Sequence, residues 1–244
     1  MYSFRITTGP VDLAFTDRVG GVSAAPYGEL NLARDGEDAE SARSENLRLL
    51  LDDFAPGDDL ADLHQVHGNA VVLADEGDRT SYDGPPEADG IVTATPGVTL
   101  MVRAADCVPV LLADPDARVI GAAHAGRLGM ALGVVPATVA RMRELGAGHV
   151  SAWVGPHICG SCYEVPADLQ EEVAARVPAS RATTSWGTPA LDIGAGVRAQ
   201  LVAAGVEVID AGRCTRESPD LYSYRRDGAG AGRHAGLIRL GGHR

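Results

Sequence analysis

Three apolar runs of strand length occupy the middle of the chain, at residues 98–104, 108–113 and 119–123. Each run is bounded by Gly, Pro or Asp, which is typical of buried strands. Cys107 lies in the break between the first two runs, and His124 follows the third, where the backbone can turn at a glycine. We therefore expect the Cys107 thiol and the His124 imidazole to face one surface patch, presented by a rigid sheet.

Weaker hydrophobic patterns predict short strands and amphipathic helices in the rest of the chain. Residues 2–7 and 11–16 predict a hairpin, and the polar segment at residues 75–87 predicts an exposed loop. Further strands are predicted at residues 70–74, 91–94, 150–154, 206–209 and 235–240, and helices at residues 39–51, 130–145, 166–175 and 191–203.

The order of these elements indicates the fold class. Strands and helices do not alternate with a strict β-α-β rhythm, and hairpins are frequent. This order predicts an α+β architecture with a largely antiparallel or mixed sheet, rather than a doubly wound parallel sheet. No linker, repeat or low-complexity stretch divides the 244 residues, so residues 1–244 are expected to form a single domain.

The charge composition narrows the classes of partner and cofactor. The formal net charge is −12, which argues against a nucleic acid or an anionic membrane as partner, because both require a basic surface. All 21 residues in the Lys and Arg count are arginine. Schiff-base chemistry, pyridoxal phosphate and a Walker P-loop are therefore excluded, because each requires a lysine. A bound anion must be held by arginine, by backbone N–H groups or by a metal.

Other sequence features indicate the cellular compartment in which the protein works. The first residues show no basic segment followed by an apolar one, and no apolar run reaches the ~18 residues of a membrane span. Four cysteines in a chain of this length do not resemble a disulfide framework. We therefore expect a cytoplasmic protein with reduced thiols.

Two chemistries fit the residues around the central strands. His67, Cys107 and His124 could bind zinc, because imidazole nitrogen and thiolate are good zinc ligands and three protein ligands with one open position are typical of catalytic zinc. Alternatively, Cys107 could act as a nucleophile with His124 as its base, without a metal. The sequence does not separate these alternatives, because both place the same atoms together.

Two further motifs have both a chemical and a structural interpretation. Cys159 and Cys162 form a C-x-x-C motif, which could be half of a structural zinc site or a redox pair. Because no second C-x-x-C motif and no thioredoxin-like context accompany it, we interpret it as two packed thiols in a loop. Arg225 and Arg226, next to Tyr224, could bind an anion and stack on a ring, or could be a solvated basic pair.

Ten short stretches, in one order along nearly the whole chain, resemble the YfiH family, also known as laccase-domain proteins, YfiH-type purine nucleoside phosphorylases or peptidoglycan editing factors. No single motif is decisive, but ten in order are specific. The stretches are T-D-R-V-G-G-V-S at residues 16–23, L-N-L at 30–32, Q-V-H-G at 65–68, A-D-G at 88–90, A-D-C-V-P at 105–109, H-A-G at 124–126, G-P at 155–156, C-Y-E-V at 162–165, C-T at 214–215 and Y-S-Y-R-R-D-G at 222–228.

The resemblance implies a four-layer α-β-β-α fold with mixed sheets, distantly related to bacterial toxin deamidase domains. It implies that His67, Cys107 and His124 bind zinc and carry the catalysis. The implied activity is phosphorolysis of adenosine, inosine and 5′-methylthioadenosine, with adenosine deamination at the same site. The residues it assigns to binding this small-molecule substrate are Arg18, Asn31, Tyr224, Arg225 and Arg226.

One departure from the family pattern affects the expected anion site. The family usually continues H-A-G with Trp-Arg-Gly, whereas this chain has Arg127, Leu128 and Gly129. The aromatic residue is absent and the arginine is displaced by one position, so its direction relative to a substrate anion is open.

Other functions stay open at this point. A peptidoglycan-precursor editing hydrolase could use a Cys–His pair, by analogy with the family alone. A polyphenol oxidase would bind copper instead of zinc, although the chain has seven histidines and no His-x-His pair of the kind that multicopper oxidases use. A metal-binding protein without turnover is a third alternative. The sequence does not indicate the oligomeric state.

Overall fold

Two β-sheets, formed mainly by the apolar runs of the sequence, make up the centre of the protein. The computed structural model describes residues 1–74 and 84–241. Its helices are α1 (Glu40–Phe54), α2 (Arg127–Leu132), α3 (Val134–Glu144), α4 (Ala167–Arg176), α5 (Ile193–Ala203) and α6 (Tyr224–Asp227). Its strands are β1 (Tyr2–Thr8), β2 (Val11–Thr16), β3 (Asp59–Ala61), β4 (Val71–Leu73), β5 (Gly90–Thr93), β6 (Val98–Ala104), β7 (Val108–Asp114), β8 (Val119–Ala125), β9 (Ser151–Val154), β10 (Arg181–Thr183), β11 (Pro189–Leu191), β12 (Glu207–Asp210) and β13 (His234–Leu240).

Both large sheets are mixed. The first has the strand order β1-β2-β13-β6-β3, and the second has the order β12-β9-β7-β8-β5-β4. Most neighbours are antiparallel, but β3 pairs with β6, β4 with β5 and β12 with β9 in parallel. Strands β10 and β11 form a separate antiparallel pair. The expectation of a mixed, largely antiparallel architecture is confirmed.

The sheets pack face to face, and helices cover their outer faces. Strand β7 shows how the sequence specifies this arrangement: Val110 and Leu112 face the helices, while Leu111 and Ala113 face the other sheet. A strand buried on both faces has no polar positions, which explains the continuous apolar run. The fully buried residues between the sheets include Leu13, Phe15, Leu100, Leu111 and Ile120.

The helices complete a four-layer α-β-β-α arrangement. Helix α1 packs Leu50 and Phe54 against the outer face of the first sheet, near Met101 and Leu237. Helices α2, α3 and α5 cover the second sheet with buried residues that include Met130, Val134, Val139, Val197 and Leu201. The predicted fold class is therefore confirmed. The relation to toxin deamidase domains and the assignment of the chain to a single domain stay predictions.

The structure corrects several predicted boundaries. The helix predicted at residues 130–145 is two helices, α2 and α3, separated by Gly133 with a φ of 84°. A left-handed residue at this point ends the first helix and redirects the chain, and Pro136 then lies in the first turn of α3. His124, predicted to follow a strand, lies within β8 and pairs with Pro109 of β7.

The sequence patterns missed two kinds of element. Strands β3, β10 and β11 are three residues each and are too short to show an alternating pattern. Helix α6 is a single turn inside a segment interpreted as loop. Residues 75–83 of the predicted loop at 75–87 lie outside the described residues. In the described ranges, no helix combines the length and apolar character needed to cross a bilayer.

Candidate metal centre

Cys107 lies in a tight turn between β6 and β7 that is anchored from a distant part of the chain. The residue before it, Asp106, has a φ of 89°, a backbone conformation that is costly for a non-glycine residue unless contacts hold it. The Asp106 carboxylate provides such contacts, because it accepts hydrogen bonds from the Thr215 hydroxyl and the Arg225 backbone N–H, both at 2.6 Å. The position of the Cys107 thiol is therefore fixed by packing between loops as well as by the strands.

A single buried carboxylate, Asp89, positions both histidines. The backbone N–H groups of Val66, His67 and Gly68 donate to it at 3.2, 3.0 and 2.6 Å. These bonds hold His67 in a left-handed conformation, with a φ of 61°. The Nδ1 of His124 donates to the same carboxylate at 2.8 Å, which leaves the Nε2 of His124 as the atom that would bind a metal after losing its proton.

His67, Cys107 and His124, the triad site, converge at one point. Their ligand atoms all lie within 4.8 Å of one another. The Sγ of Cys107 is 3.8 Å from the Nε2 of His67, and the two imidazole rings have centroids 4.9 Å apart. Tetrahedral N and S ligands of one zinc ion lie about 3.3–3.8 Å apart, given bond lengths of about 2.0–2.3 Å. The donor set and spacing therefore fit a zinc ion with one position left for a reactant.

Gly126, at the end of β8, permits the close approach of these side chains. A Cβ atom at this position would lie 2.6 Å from the Cδ2 of His67 and 3.2 Å from the Sγ of Cys107. Any larger residue would therefore displace His67. This explains why the H-A-G stretch includes a glycine.

The charges of the triad site are those of a Cys107 thiolate beside a His124 imidazolium, whose proton a bound metal would replace. Burial raises the pKa of the Cys107 thiol, but the positive charge and hydrogen bond of His124 and the contact with His67 lower it to about 6. Burial lowers the pKa of His124, but the Cys107 thiolate and Asp89 raise it to about 9. Burial also raises the pKa of Asp89, but hydrogen bonds from His124 and the backbone outweigh it and keep the pKa low. Cys107 is therefore anionic at neutral pH, the form that binds metals or attacks substrates.

The triad site opens into a cavity of about 680 Å³, a volume typical of small-molecule sites. Five arginines are among the residues that line the cavity, and two of them, Arg127 and Arg225, interact with Tyr163. The Arg225 guanidinium stacks on the Tyr163 ring at 4.8 Å. Among the described residues, neither arginine forms an ion pair with a carboxylate. Their positive charges are therefore available to an anionic ligand.

The structure shows the direction of Arg127, the displaced arginine that follows the H-A-G stretch. Arg127 is the first residue of α2 and lines the cavity, whereas Leu128 is 46 % exposed. Successive helix positions point about 100° apart, so this one-residue shift gives the arginine a different direction. Arg127 faces Tyr163 and the triad site.

The predicted substrate-binding residues fall into two groups. Tyr224, Arg225 and Asn31 line the cavity, although the Asn31 side chain is buried and bonded to the Asp38 carboxylate. Arg18 and Arg226 are not among the described residues that line it. Arg18 donates to the Gly28 carbonyl and stacks on Tyr222, and Arg226 donates to the Thr215, Ser218 and Leu221 carbonyls. A role in substrate binding stays a prediction for all five.

Sequence reasoning missed Asp89 and Tyr163 as members of the site. Both lie in stretches that carried the family resemblance, A-D-G and C-Y-E-V, but the chemistry of the isolated residues gave no reason to connect them with Cys107. A carboxylate directly before a buried strand was the available signal for Asp89. Tyr163 had no comparable signal, because a tyrosine in a loop is common.

Comparisons with known proteins identify the family of the chain. A family model described as multi-copper polyphenol oxidoreductase laccase matches residues 12–241. A purine nucleoside phosphorylase of Streptomyces coelicolor is 49 % identical, over 98 % of this chain and all of the relative. A purine nucleoside phosphorylase of Deinococcus radiodurans is 44 % identical, over 93 % of this chain and 88 % of the relative.

Solved structures show the same fold. A Neisseria meningitidis protein described as DUF152 superposes with a TM-score of 0.85 at 31 % identity, covering 98 % of this chain and 99 % of that one. The Bacillus licheniformis protein YfiH also has a TM-score of 0.85, at 28 % identity, covering 94 % of this chain and 92 % of that one. On the family match, the identities and these superpositions, the chain belongs to the multi-copper polyphenol oxidoreductase laccase family, whose solved structures include YfiH and DUF152 proteins.

Proposed function

We propose that this chain is a zinc-dependent purine nucleoside phosphorylase, acting on adenosine, inosine and 5′-methylthioadenosine, that also deaminates adenosine in the cytoplasm. The observation that carries the proposal is the triad site on the wall of a cavity that is also lined by Arg127 and Arg225, neither of which forms an ion pair among the described residues. The names of the relatives support the phosphorylase activity.

The residues of the triad site suit a catalytic metal. Zinc bound by His67, Cys107 and His124 would supply Lewis-acid chemistry to an oxygen atom of substrate or water. Asp89 keeps the His124 tautomer and ring orientation that metal binding requires. The low pKa of Cys107 provides its ligand form at neutral pH.

The remaining residues of the cavity suit a nucleoside with an anionic co-substrate. A phosphate near Tyr163 would receive charge-assisted hydrogen bonds from Arg127 and Arg225. The chain has no lysine to take this role. In phosphorolysis a phosphate oxygen attacks the ribose C1′ and the purine leaves, so these arginines would hold the nucleophile beside the triad site.

A simple assay tests the proposal. Zinc-loaded protein is incubated with inosine, with and without phosphate, and hypoxanthine and ribose 1-phosphate are measured. We expect both products only when phosphate is present, and we expect adenosine to yield inosine and ammonia without phosphate. The variant Cys107→Ala is the matched control and should produce neither. No phosphate-dependent hypoxanthine from zinc-loaded wild-type protein would reject the phosphorylase proposal.

One observation favours a second candidate function. The Cys107 thiol is within hydrogen-bonding reach of His124, which also suits a metal-free nucleophile with His124 as its base. A peptidoglycan-precursor editing hydrolase would then cleave a serine-containing muropeptide, and Cys107→Ala would abolish that cleavage. Metal analysis separates the candidates: zinc at one ion per triad site supports the phosphorylase, a metal-free triad site that cleaves the muropeptide supports the hydrolase, and stoichiometric copper with phenol turnover supports a polyphenol oxidase.

A further inference from the structure

A second group of metal ligands lies outside the cavity. Cys159, Cys162, Cys214 and Glu217, the thiol cluster, each offer one ligand atom, and these four atoms all lie within 4.8 Å of one another. None of the four residues is among the described residues that line the cavity of the triad site. All three cysteines are free thiols.

Local backbone geometry brings the first two thiols together. The backbone N–H groups of Cys162 and Tyr163 both donate to the Cys159 carbonyl, at 3.0 and 3.1 Å. A C-x-x-C turn of this kind directs both sulfur atoms to one side, which is the spacing that structural zinc sites use for a pair of ligands.

The third and fourth ligands come from a loop far along the sequence. The backbone N–H of His157 donates to the Arg213 carbonyl at 3.3 Å, and that of Thr215 donates to the His157 carbonyl at 3.0 Å. This pairing sets Cys214 against the C-x-x-C turn. The backbone N–H of Ser218 donates to the Cys214 carbonyl at 3.1 Å, and this turn brings the Glu217 carboxylate to the same point.

We propose that the thiol cluster binds a structural zinc ion, with three thiolate ligands and the Glu217 carboxylate as the fourth ligand. Three sulfur ligands select a soft or borderline cation and exclude calcium and magnesium. Four protein ligands leave no open position, which is typical of structural rather than catalytic zinc. A disulfide would use only two of the three thiols and would give the carboxylate no role.

The thiols of the thiol cluster are kept protonated by burial and by one another, so a cation that binds there must displace their protons. Burial, and contacts with the other two thiols, raise the pKa of Cys159 to about 12. Burial also raises the pKa of Cys162, although its hydrogen bond with Cys159 lowers it. A divalent cation reverses this effect, because it stabilises the thiolates directly.

The bound ion would join the two loops that form one wall of the cavity. The first loop continues from Cys162 to Tyr163, and the second leads from Cys214 to Tyr224 and Arg225. The ion would therefore hold the side chains of Tyr163, Tyr224 and Arg225 in place without contacting a substrate. This inference does not depend on the proposed phosphorolysis.

Metal content in two single variants tests the inference. Full-length wild-type protein, Cys107→Ser and Cys214→Ser are produced with zinc, dialysed and analysed for zinc per chain. We expect two ions in the wild type and one in each variant. No zinc in Cys107→Ser, with one ion retained in Cys214→Ser, would overturn the thiol cluster as a zinc site. One ion in wild type and Cys107→Ser, with none in Cys214→Ser, would support the thiol cluster and reject zinc at the triad site.

A second measurement does not require the cluster variant to fold. In Cys107→Ser, the cysteines that remain are the three of the thiol cluster. Cobalt added to this variant should give a thiolate charge-transfer band and intense tetrahedral d–d bands. All three thiols should resist alkylation until a strong chelator is added. Alkylation that is unaffected by chelator, or that increases only after a reductant, would contradict zinc binding.

Discussion

The triad site and the thiol cluster gather similar ligands at similar separations, but the backbone that carries them differs. His124 lies within strand β8, and the carboxylates of Asp89 and Asp106 fix the segments that carry His67 and Cys107. The thiol cluster is carried by two loops that meet through a short backbone bridge. The triad site opens into the cavity, whereas a carboxylate completes the thiol cluster. The number of ligands and their access to the cavity therefore distinguish a reactive site from a structural one.

The strongest test of this comparison removes one thiol from each site. Cys107→Ala should lower kcat/KM for inosine by roughly 10³-fold or more, the range seen when a group at the reacting centre is removed. Cys214→Ala should lower kcat/KM for inosine by less than about tenfold, because this substitution only loosens the positions of side chains in the cavity wall. Steady-state kinetics of both variants in zinc-containing buffer measure the difference.

Circular dichroism is the control for both alanine variants, because each must keep the wild-type fold for the comparison to hold. Equal losses of activity in two folded variants would contradict the division into a reactive and a structural site. A larger loss in Cys214→Ala would place the chemistry in the thiol cluster.

Gly126 gives a second test, aimed at the packing of the triad site. Gly126→Ala places a Cβ 2.6 Å from the His67 ring, so the ring must move by several tenths of an ångström. Displacement of a catalytic group by about 1 Å can cost roughly 10²-fold in rate, and we expect a loss of kcat of that order. Gly148→Ala is the matched control, because a Cβ there meets nothing within 4 Å. Equal activity of the two variants would show that His67 has no fixed role.

Asp89 provides the third test, which asks whether its carboxylate positions the ligand histidines or only stabilises the fold. Asp89→Asn should weaken zinc binding at the triad site by about 10–100-fold, the usual effect of losing a carboxylate behind a ligand histidine. Competition with a chromogenic chelator, measured in a Cys214→Ser background so that the thiol cluster does not contribute, gives the affinity. Unchanged affinity would show that Asp89 serves the fold alone.

Asp114 is the matched control for Asp89. Its buried carboxylate also accepts backbone N–H bonds, from Ala117, Gly148 and His149, but it contacts no metal ligand. Asp114→Asn should cost about 1–3 kcal/mol of unfolding free energy and leave zinc affinity unchanged. Burial raises the pKa of Asp114, but these bonds lower it below its usual value. The unfolding free energy lost in Asp114→Asn should therefore have its full value above about pH 4, and the loss should become smaller as the pH falls.

The sequence predicted the triad site better than the thiol cluster for a physical reason. Cys107 and His124 lie beside apolar runs whose strand pairing follows from periodicity, so their proximity could be inferred from the order of residues alone. Cys214 lies more than fifty residues after the C-x-x-C motif in a loop. No hydrophobic pattern encodes the contact between two loops, so the motif by itself indicates only two packed thiols.

The same limit explains the other differences between sequence and structure. The break between α2 and α3 depends on the left-handed conformation of Gly133, which an apolar pattern does not reveal. The three backbone bonds to Asp89 and the direction of Arg127 depend on how loops fold against strands. Periodicity identifies elements and layers, whereas contacts between side chains and loop backbone determine the details of a site.

Arginines near the two sites give the last test, which has the smallest expected effect. Arg127 faces the cavity beside Tyr163, whereas Arg216, two residues after Cys214, stacks on the Trp186 ring at 5.1 Å. Arg127→Ala should raise the KM for phosphate by roughly tenfold or more, because a charge-assisted hydrogen bond contributes about 1.5–3 kcal/mol. Arg216→Ala removes the same charge outside the cavity and should leave this KM unchanged.

Because both variants change the net charge equally, an increase of the KM for phosphate in both would indicate long-range attraction of phosphate rather than a defined site. An increase in Arg127→Ala alone, at an unchanged KM for inosine, would place phosphate beside Tyr163 at the mouth of the triad site.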